Sequence, residues 1–99
     1  MVTNIRRAPA EKLHKLQMHY VYILKCNDGT FYTGCTNDLE DRMRRHSCGE
    51  IHYTKSRQPF ELVFYACFPD RYKAYTFEKY LKTGSGRAFA LRHLHSSAK

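Results

Sequence analysis

Two short runs of aromatic and β-branched residues flank the segment Asn27-Asp28-Gly29, and this constrains the fold more than any other feature. Residues 20–26 hold Tyr20, Val21, Tyr22, Ile23 and Leu24; residues 30–35 return with Phe31, Tyr32, Thr33 and Gly34. Such runs on either side of an Asp-Gly turn predict a β-hairpin. Two registers are open to it. A two-residue turn at Asp28-Gly29 pairs Cys26 with Phe31 and sends Tyr22 and Tyr32 to opposite faces. A three-residue loop with Gly29 in the left-handed region pairs Cys26 with Thr30. Tyr22 then lies opposite Gly34, and Tyr32 opposite Leu24. We favour the second register, because it puts both tyrosines on one face and gives the bare Gly34 a purpose, which is room beside Tyr22.

Further along, Asn37 with Glu40 three residues on resembles a capping box, and predicts a helix to about Ser47 or Cys48 with Gly49 as its stop. Arg42 and His46, four apart, share one face at the edge of an apolar stripe. Residues 50–59 read as a polar loop. Glu61 to Phe68 forms a third strand. Asp70 caps a second helix that ends at Gly84, with Ala74, Phe77 and Leu81 inward and Glu78 beside them. Ser85-Gly86 opens a last helix through Leu94, anchored by Phe89 and Leu94. The predicted class is therefore α/β in the α+β sense: a small three-stranded antiparallel sheet flanked by helices, in the order ββαβαα.

Length and charge bound the rest. Ninety-nine residues make one domain. We place it at 18–95, after a flexible basic extension over 1–17 and before a tail at 96–99. The net charge is +8. The extension holds Arg6, Arg7, Lys12 and Lys15 against Glu11, so the rest remains basic. That balance suits a polyanionic partner, although it also serves solubility. No apolar run is long enough to span a membrane and none has the layout of a signal peptide, which points to the cytosol. Cys26, Cys35, Cys48 and Cys67 form no C-x-x-C pair, so they are expected as free, mostly buried thiols rather than a zinc site. His93 and His95 are expected to be solvated.

Tyr22, Tyr32, Arg42, His46 and Glu78 together supply most of what cutting a phosphodiester needs: proton carriers, cations for a phosphate, and a carboxylate for a metal. In this order and spacing the chain resembles the GIY-YIG nuclease superfamily, in its short single-domain bacterial branch, similar to the amino-terminal nuclease domain of the bacterial excinuclease. Tyr20-Val21-Tyr22 stands where the family has Gly-Ile-Tyr, and Tyr32-Thr33-Gly34 where it has Tyr-Ile-Gly. The segment Gly34 to Leu39 with Arg42 and His46 resembles the family's first helix, and Glu78 its metal-binding glutamate. No asparagine follows Glu78, where many family nucleases carry one.

The resemblance implies a metal-dependent endonuclease that hydrolyses DNA, structure-selective and serving DNA repair or processing, with RNA as another possible substrate. A non-catalytic nucleic-acid-binding module on the same scaffold is the alternative. It further implies Mg²⁺ or Mn²⁺ on Glu78, Tyr22 as the group that takes a proton from the attacking water, Tyr32 as its orienter, Arg42 on the phosphate and His46 in proton transfer. Neighbouring cations would have to favour the ionised form of Tyr22. Lys55, Arg57, Arg71, Lys73, Arg87 and Arg92 are candidate backbone contacts. Each residue alone has a plainer reading: sheet packing for the tyrosines, a solvated helix face for Arg42, a helix-end hydrogen bond for His46, an i,i+4 ion pair with Lys82 for Glu78.

Overall fold

The computed structural model describes residues 17–96. The expected extension over 1–17 thus lies, but for Gln17, outside the described residues, as does the tail beyond Ser96. Strand β1 (His19–Cys26) is central in a three-stranded antiparallel sheet, with β2 (Phe31–Thr36) on one side and β3 (Phe60–Phe68) on the other. The register is the one that joins Tyr22 to Gly34 and Leu24 to Tyr32. Its origin is local. Gly29 has φ +85°, the Gly29 amide donates to the Cys26 carbonyl at 3.0 Å, and the Cys26 amide donates to the Thr30 carbonyl at 2.8 Å. A type I turn closed by a left-handed glycine does this, and only glycine adopts that φ without strain. The Asp28 carboxylate fastens the loop by accepting from the Thr30 amide and hydroxyl.

A period of two then sorts β1 onto two faces. Val21 and Ile23 point to a core made with Ala74, Leu81 and Ala90, and Phe31, Phe64, Phe68, Phe77 and Leu94 close around it. The opposite face carries Tyr22 and Leu24, both wholly buried, under His46 and Thr54. In β3 the register slips between Ile23 and Leu24, so Val63 is the extra residue of a bulge.

Four helices accompany the sheet among the described residues. Helix α1 (Leu39–Ser47) is capped by Asp38, whose carboxylate accepts from the Asp41 amide at 3.0 Å, and not by Asn37 as the capping-box pattern suggested. Asp38 is free for this because the Thr36 hydroxyl holds its amide at 3.1 Å, which ends β2 and turns the chain one residue later. Gly49 at φ +77° stops the helix as expected, with the Gly49 and Glu50 amides bound back to His46 and Arg45. Within the stretch read as a polar loop lies a four-residue helix, α2 (His52–Lys55). It is too short for any apolar period to announce it.

Helix α3 (Arg71–Leu81) is capped by Asp70, as expected, and ends three residues before Gly84. Helix α4 (Gly84–His93) starts from Thr83, whose hydroxyl accepts from the Gly86 amide at 3.0 Å. Gly86 is buried where any Cβ would meet the Tyr80 carbonyl, so α4 packs tightly on the end of α3. Its core contacts are Ala90 and Leu94; Phe89, expected to anchor, lies outside against Tyr80 and His93. The order ββαβαα stands, with α2 as an added helical turn.

The cysteines are free as expected, but only Cys26 is buried, while Cys48 and Cys67 are exposed. His95 is not solvated: its ring stacks on Phe31 with centroids 4.1 Å apart, and burial lowers its pKa. No helix among the described residues is long and apolar enough to cross a membrane.

Candidate active site

Because Tyr22 and Tyr32 share a face, their rings meet, with centroids 6.2 Å apart. His46 reaches down from α1 and stands edge-on to both, at 5.7 Å from Tyr22 and 5.2 Å from Tyr32. Gly34 makes room for this cluster. A methyl group there would overlap the Tyr22 phenol.

The hydrogen bonds run in one chain. The Tyr22 hydroxyl lies 2.9 Å from His46 Nε2, and His46 Nδ1 lies 2.6 Å from Thr54 Oγ1. The Thr54 hydroxyl in turn faces the Ile51 carbonyl at 3.4 Å. Burial, then the Arg42 charge, holds the His46 pKa down to about 4, so the ring is neutral at pH 7 and carries one N–H. We assign that hydrogen to Nδ1, donating to Thr54, since Thr54 can then donate onward to Ile51. Nε2 is left as an acceptor aimed at the Tyr22 O–H.

Burial foremost, then the neighbouring Tyr32, raises the Tyr22 pKa well above that of a free phenol. Arg42 pulls the other way without prevailing, and Glu78 adds to the rise. This corrects the expectation that neighbouring cations would favour the ionised form. Water is so fully excluded around Tyr22 that desolvation of the phenolate outweighs one guanidinium. The resting group is a phenol with a ready acceptor for its proton.

Glu78 arrives from the other layer. It lies on α3, which packs on the Val21 face, four residues after the buried Ala74 and three before Leu81. Its side chain is only 15% exposed and pairs with Lys82 at 3.0 Å, the i,i+4 partner expected from sequence. Its negative charge raises the pKa of both Tyr22 and Cys35. Among the described residues no three His, Cys, Asp or Glu side chains gather as a metal site. A lone carboxylate still fits Mg²⁺ or Mn²⁺, which usually keep several waters and take phosphate oxygens as ligands.

The structure thus brings Tyr22, Tyr32 and His46 into contact, with Arg42 acting on Tyr22 by a hydrogen bond first and then by charge, and Glu78 acting by charge. The outer cations have varied fates. Arg57 is engaged: it pairs with Asp28 at 3.0 Å, donates to the Tyr53 carbonyl at 2.8 Å and covers the Tyr53 ring, pinning the hairpin loop to α2. Arg71 lies over Tyr72. Lys55, Lys73, Arg87 and Arg92 are exposed. Sequence reasoning missed Thr54, as well as Tyr53, whose ring lies 5.4 Å from Tyr32. Both sit in the unannounced α2.

Comparison with known proteins agrees with the family resemblance. The family model described as the GIY-YIG catalytic domain matches residues 18–90. This chain belongs to the GIY-YIG family. Among relatives of the GIY-YIG domain, a UPF0213 protein of Haloquadratum walsbyi is 46% identical over 66 residues, covering 66% of this chain and 74% of its own. The UPF0213 protein YazA of Bacillus subtilis is 42% identical over 65 residues, 65% of this chain and 66% of its own. The solution NMR structure of a UPF0213 protein from Bacillus halodurans matches with a TM-score of 0.51 at 37% identity, over 76% of this chain and 83% of that one. The family is one of nucleases, so nucleic acid is the substrate class it implies.

Proposed function

We propose that the protein is a metal-dependent endonuclease of the cytosol that hydrolyses DNA phosphodiester bonds, selects its substrate by structure rather than sequence, and serves DNA repair or processing. The observation that carries this reading is the Tyr22–His46–Thr54 chain, with a neutral acceptor nitrogen beside a buried phenol.

A phenol with a raised pKa is a poor free base, but as a relay it never needs to exist as a phenolate. As water attacks phosphorus, its proton passes to Tyr22 Oη, directly or through a relay, and Tyr22 passes its own to His46 Nε2. Thr54 keeps Nδ1 occupied and thereby keeps Nε2 open. Arg42 holds a non-bridging phosphate oxygen and offsets charge developing there. A bound phosphate also cancels part of the Arg42 charge, one of the two causes that keep His46 weakly basic, so the substrate strengthens its own proton acceptor. Tyr32, in contact with both rings, orients Tyr22 or donates to the phosphate. Glu78 would hold Mg²⁺ or Mn²⁺, which supplies Lewis-acid charge at a phosphate oxygen. Lys82 must then give up its pairing, which an exposed ammonium does at small cost.

The reading without catalysis, a nucleic-acid-binding module, is favoured by one observation: no asparagine follows Glu78, where many relatives in the superfamily have one. Incubation with branched, nicked, duplex and single-stranded DNA, and with RNA, plus Mg²⁺ or Mn²⁺ decides between them. Cleavage that chelation stops supports the nuclease. Binding with no cleavage of any substrate overturns it in favour of the module.

A further inference from the structure

Beside the catalytic cluster lies a groove of about 600 Å³ that the phosphodiester chemistry does not use. It runs along β2, an edge strand of the sheet among the described residues, and Tyr32 belongs both to the groove and to the cluster. We propose that this groove is a subsite for one unpaired nucleobase of the DNA strand being cut, next to the scissile phosphate. The inference rests on the nuclease reading for its substrate and adds what the substrate must present.

Three features select this occupant. The first is flat aromatic surface. Two ring pairs contribute to the walls: Tyr32 with Tyr53 at 5.4 Å and Phe31 stacked on His95 at 4.1 Å. Aliphatic groups of Leu81 and Leu91 complete them. Unstacked bases seek such rings, and stacking is indifferent to which base is offered.

The second is charge. Lys82 and Arg87 also line the groove, placing two cations where the sugar-phosphate chain of a seated nucleotide would run. A peptide strand added to the β2 edge would have no use for them.

The third is the main chain. Hydrogen-bonded pairs alternate along an antiparallel ladder. Since Cys26 bonds to Thr30, the pairs Leu24 with Tyr32 and Tyr22 with Gly34 face inward too. The N–H and C=O of Thr33 therefore turn outward, to the side of β2 that no strand among the described residues covers and that the groove occupies. A donor and an acceptor side by side match the polar edge of a base. The volume is that of one small ligand, well short of a duplex.

The test compares binding, in the presence of a chelator so that nothing is cut, of a short thymidine oligonucleotide and an abasic chain of the same length and charge. The wild-type protein is expected to prefer the oligonucleotide by roughly tenfold or more. Tyr53→Leu and His95→Leu keep the charge and much of the bulk but remove a ring. Each is expected to erase most of that preference while leaving affinity for the abasic chain unchanged, with melting temperature confirming the fold. Equal binding of the two chains by the wild type overturns the subsite, as does a loss in the variants that is the same for both chains. Because no cleavage is read, base-dependent binding that the two variants abolish upholds the subsite even if the protein proves never to cut DNA.

Discussion

His46 stands between two hydroxyls: its Nε2 lies 2.9 Å from Tyr22 Oη and its Nδ1 2.6 Å from Thr54 Oγ1. A neutral imidazole can serve both in either tautomer, and the onward bond from the Thr54 hydroxyl to the Ile51 carbonyl favours the one with its hydrogen on Nδ1, so that Nε2 accepts from Tyr22. The polar chain is fully buried, so each member depends on the others for satisfaction.

Thr54→Val tests that dependence. Valine matches the shape but accepts no hydrogen bond, leaving the Nδ1–H buried and unpaired, which costs about 1–3 kcal/mol. The hydrogen is then free to move to Nε2, and the Tyr22 proton loses its acceptor. Nitrogen NMR of the imidazole should show the change of tautomer, together with a lower melting temperature and, if the protein cuts, a much reduced rate. An unchanged Nδ1–H tautomer in the variant would remove Thr54 from the relay.

Acid should destabilise the fold through the same residue. In the unfolded chain His46 titrates near 6.5, whereas the folded site holds it down to about 4. The unfolded state therefore binds the proton first as pH falls. The stability that neutral His46 contributes is complete above about 6.5 and is lost as pH falls through 4, and the gap is worth up to about 3 kcal/mol. His95, also lowered by burial, acts in the same direction. Denaturant titrations at pH 7 and pH 4.5 should show the loss, and His46→Gln should flatten it. A pH dependence that survives unchanged in His46→Gln would assign it elsewhere.

Gly34→Ala should break the site while sparing the rest of the sheet. The added methyl overlaps the Tyr22 phenol, and the ring can yield only by leaving His46 Nε2. Overpacking of this kind costs about 1–3 kcal/mol. The Cys26–Thr30 closure of the hairpin is remote from it and should persist. Amide exchange on β1 and β2, read with the Tyr22 ring shifts, checks both halves of this expectation. Wild-type stability together with an undisturbed Tyr22 ring would show that Gly34 is not needed for the close approach.

The hairpin register was legible because two residues answer each other across the strands: a tyrosine that needs space, and a glycine that leaves it. Arg42 and His46 were legible because helical spacing is local. Thr54 was not, because its link to His46 depends on a four-residue helix that carries no apolar period. The cap at Asp38 was missed for a different reason. Asn37 and Asp38 are equally good caps by type, and only the Thr36 hydroxyl, holding the Asp38 amide, decides between them. The raised pKa of Tyr22 was hidden as well, since charge can be counted along a chain while burial cannot.

Glu78→Gln separates the proposed metal role of this carboxylate from its part in the fold. Glu78 is the only acid after Asp70, so no sequence neighbour can replace it as a ligand. Glutamine keeps the length and helix propensity but lacks the charge that a divalent ion requires. The fold should tolerate the change, since the lost pairing with Lys82 at 3.0 Å is an i,i+4 contact worth at most about 0.5 kcal/mol. DNA affinity measured without metal should hold or rise slightly, because Lys82 is released to meet phosphate. Three measurements decide the matter: melting temperature, metal-free DNA affinity, and Mn²⁺-dependent cleavage of whichever DNA the wild type cuts. Equal cleavage by wild type and variant would rule out Glu78 as the metal ligand.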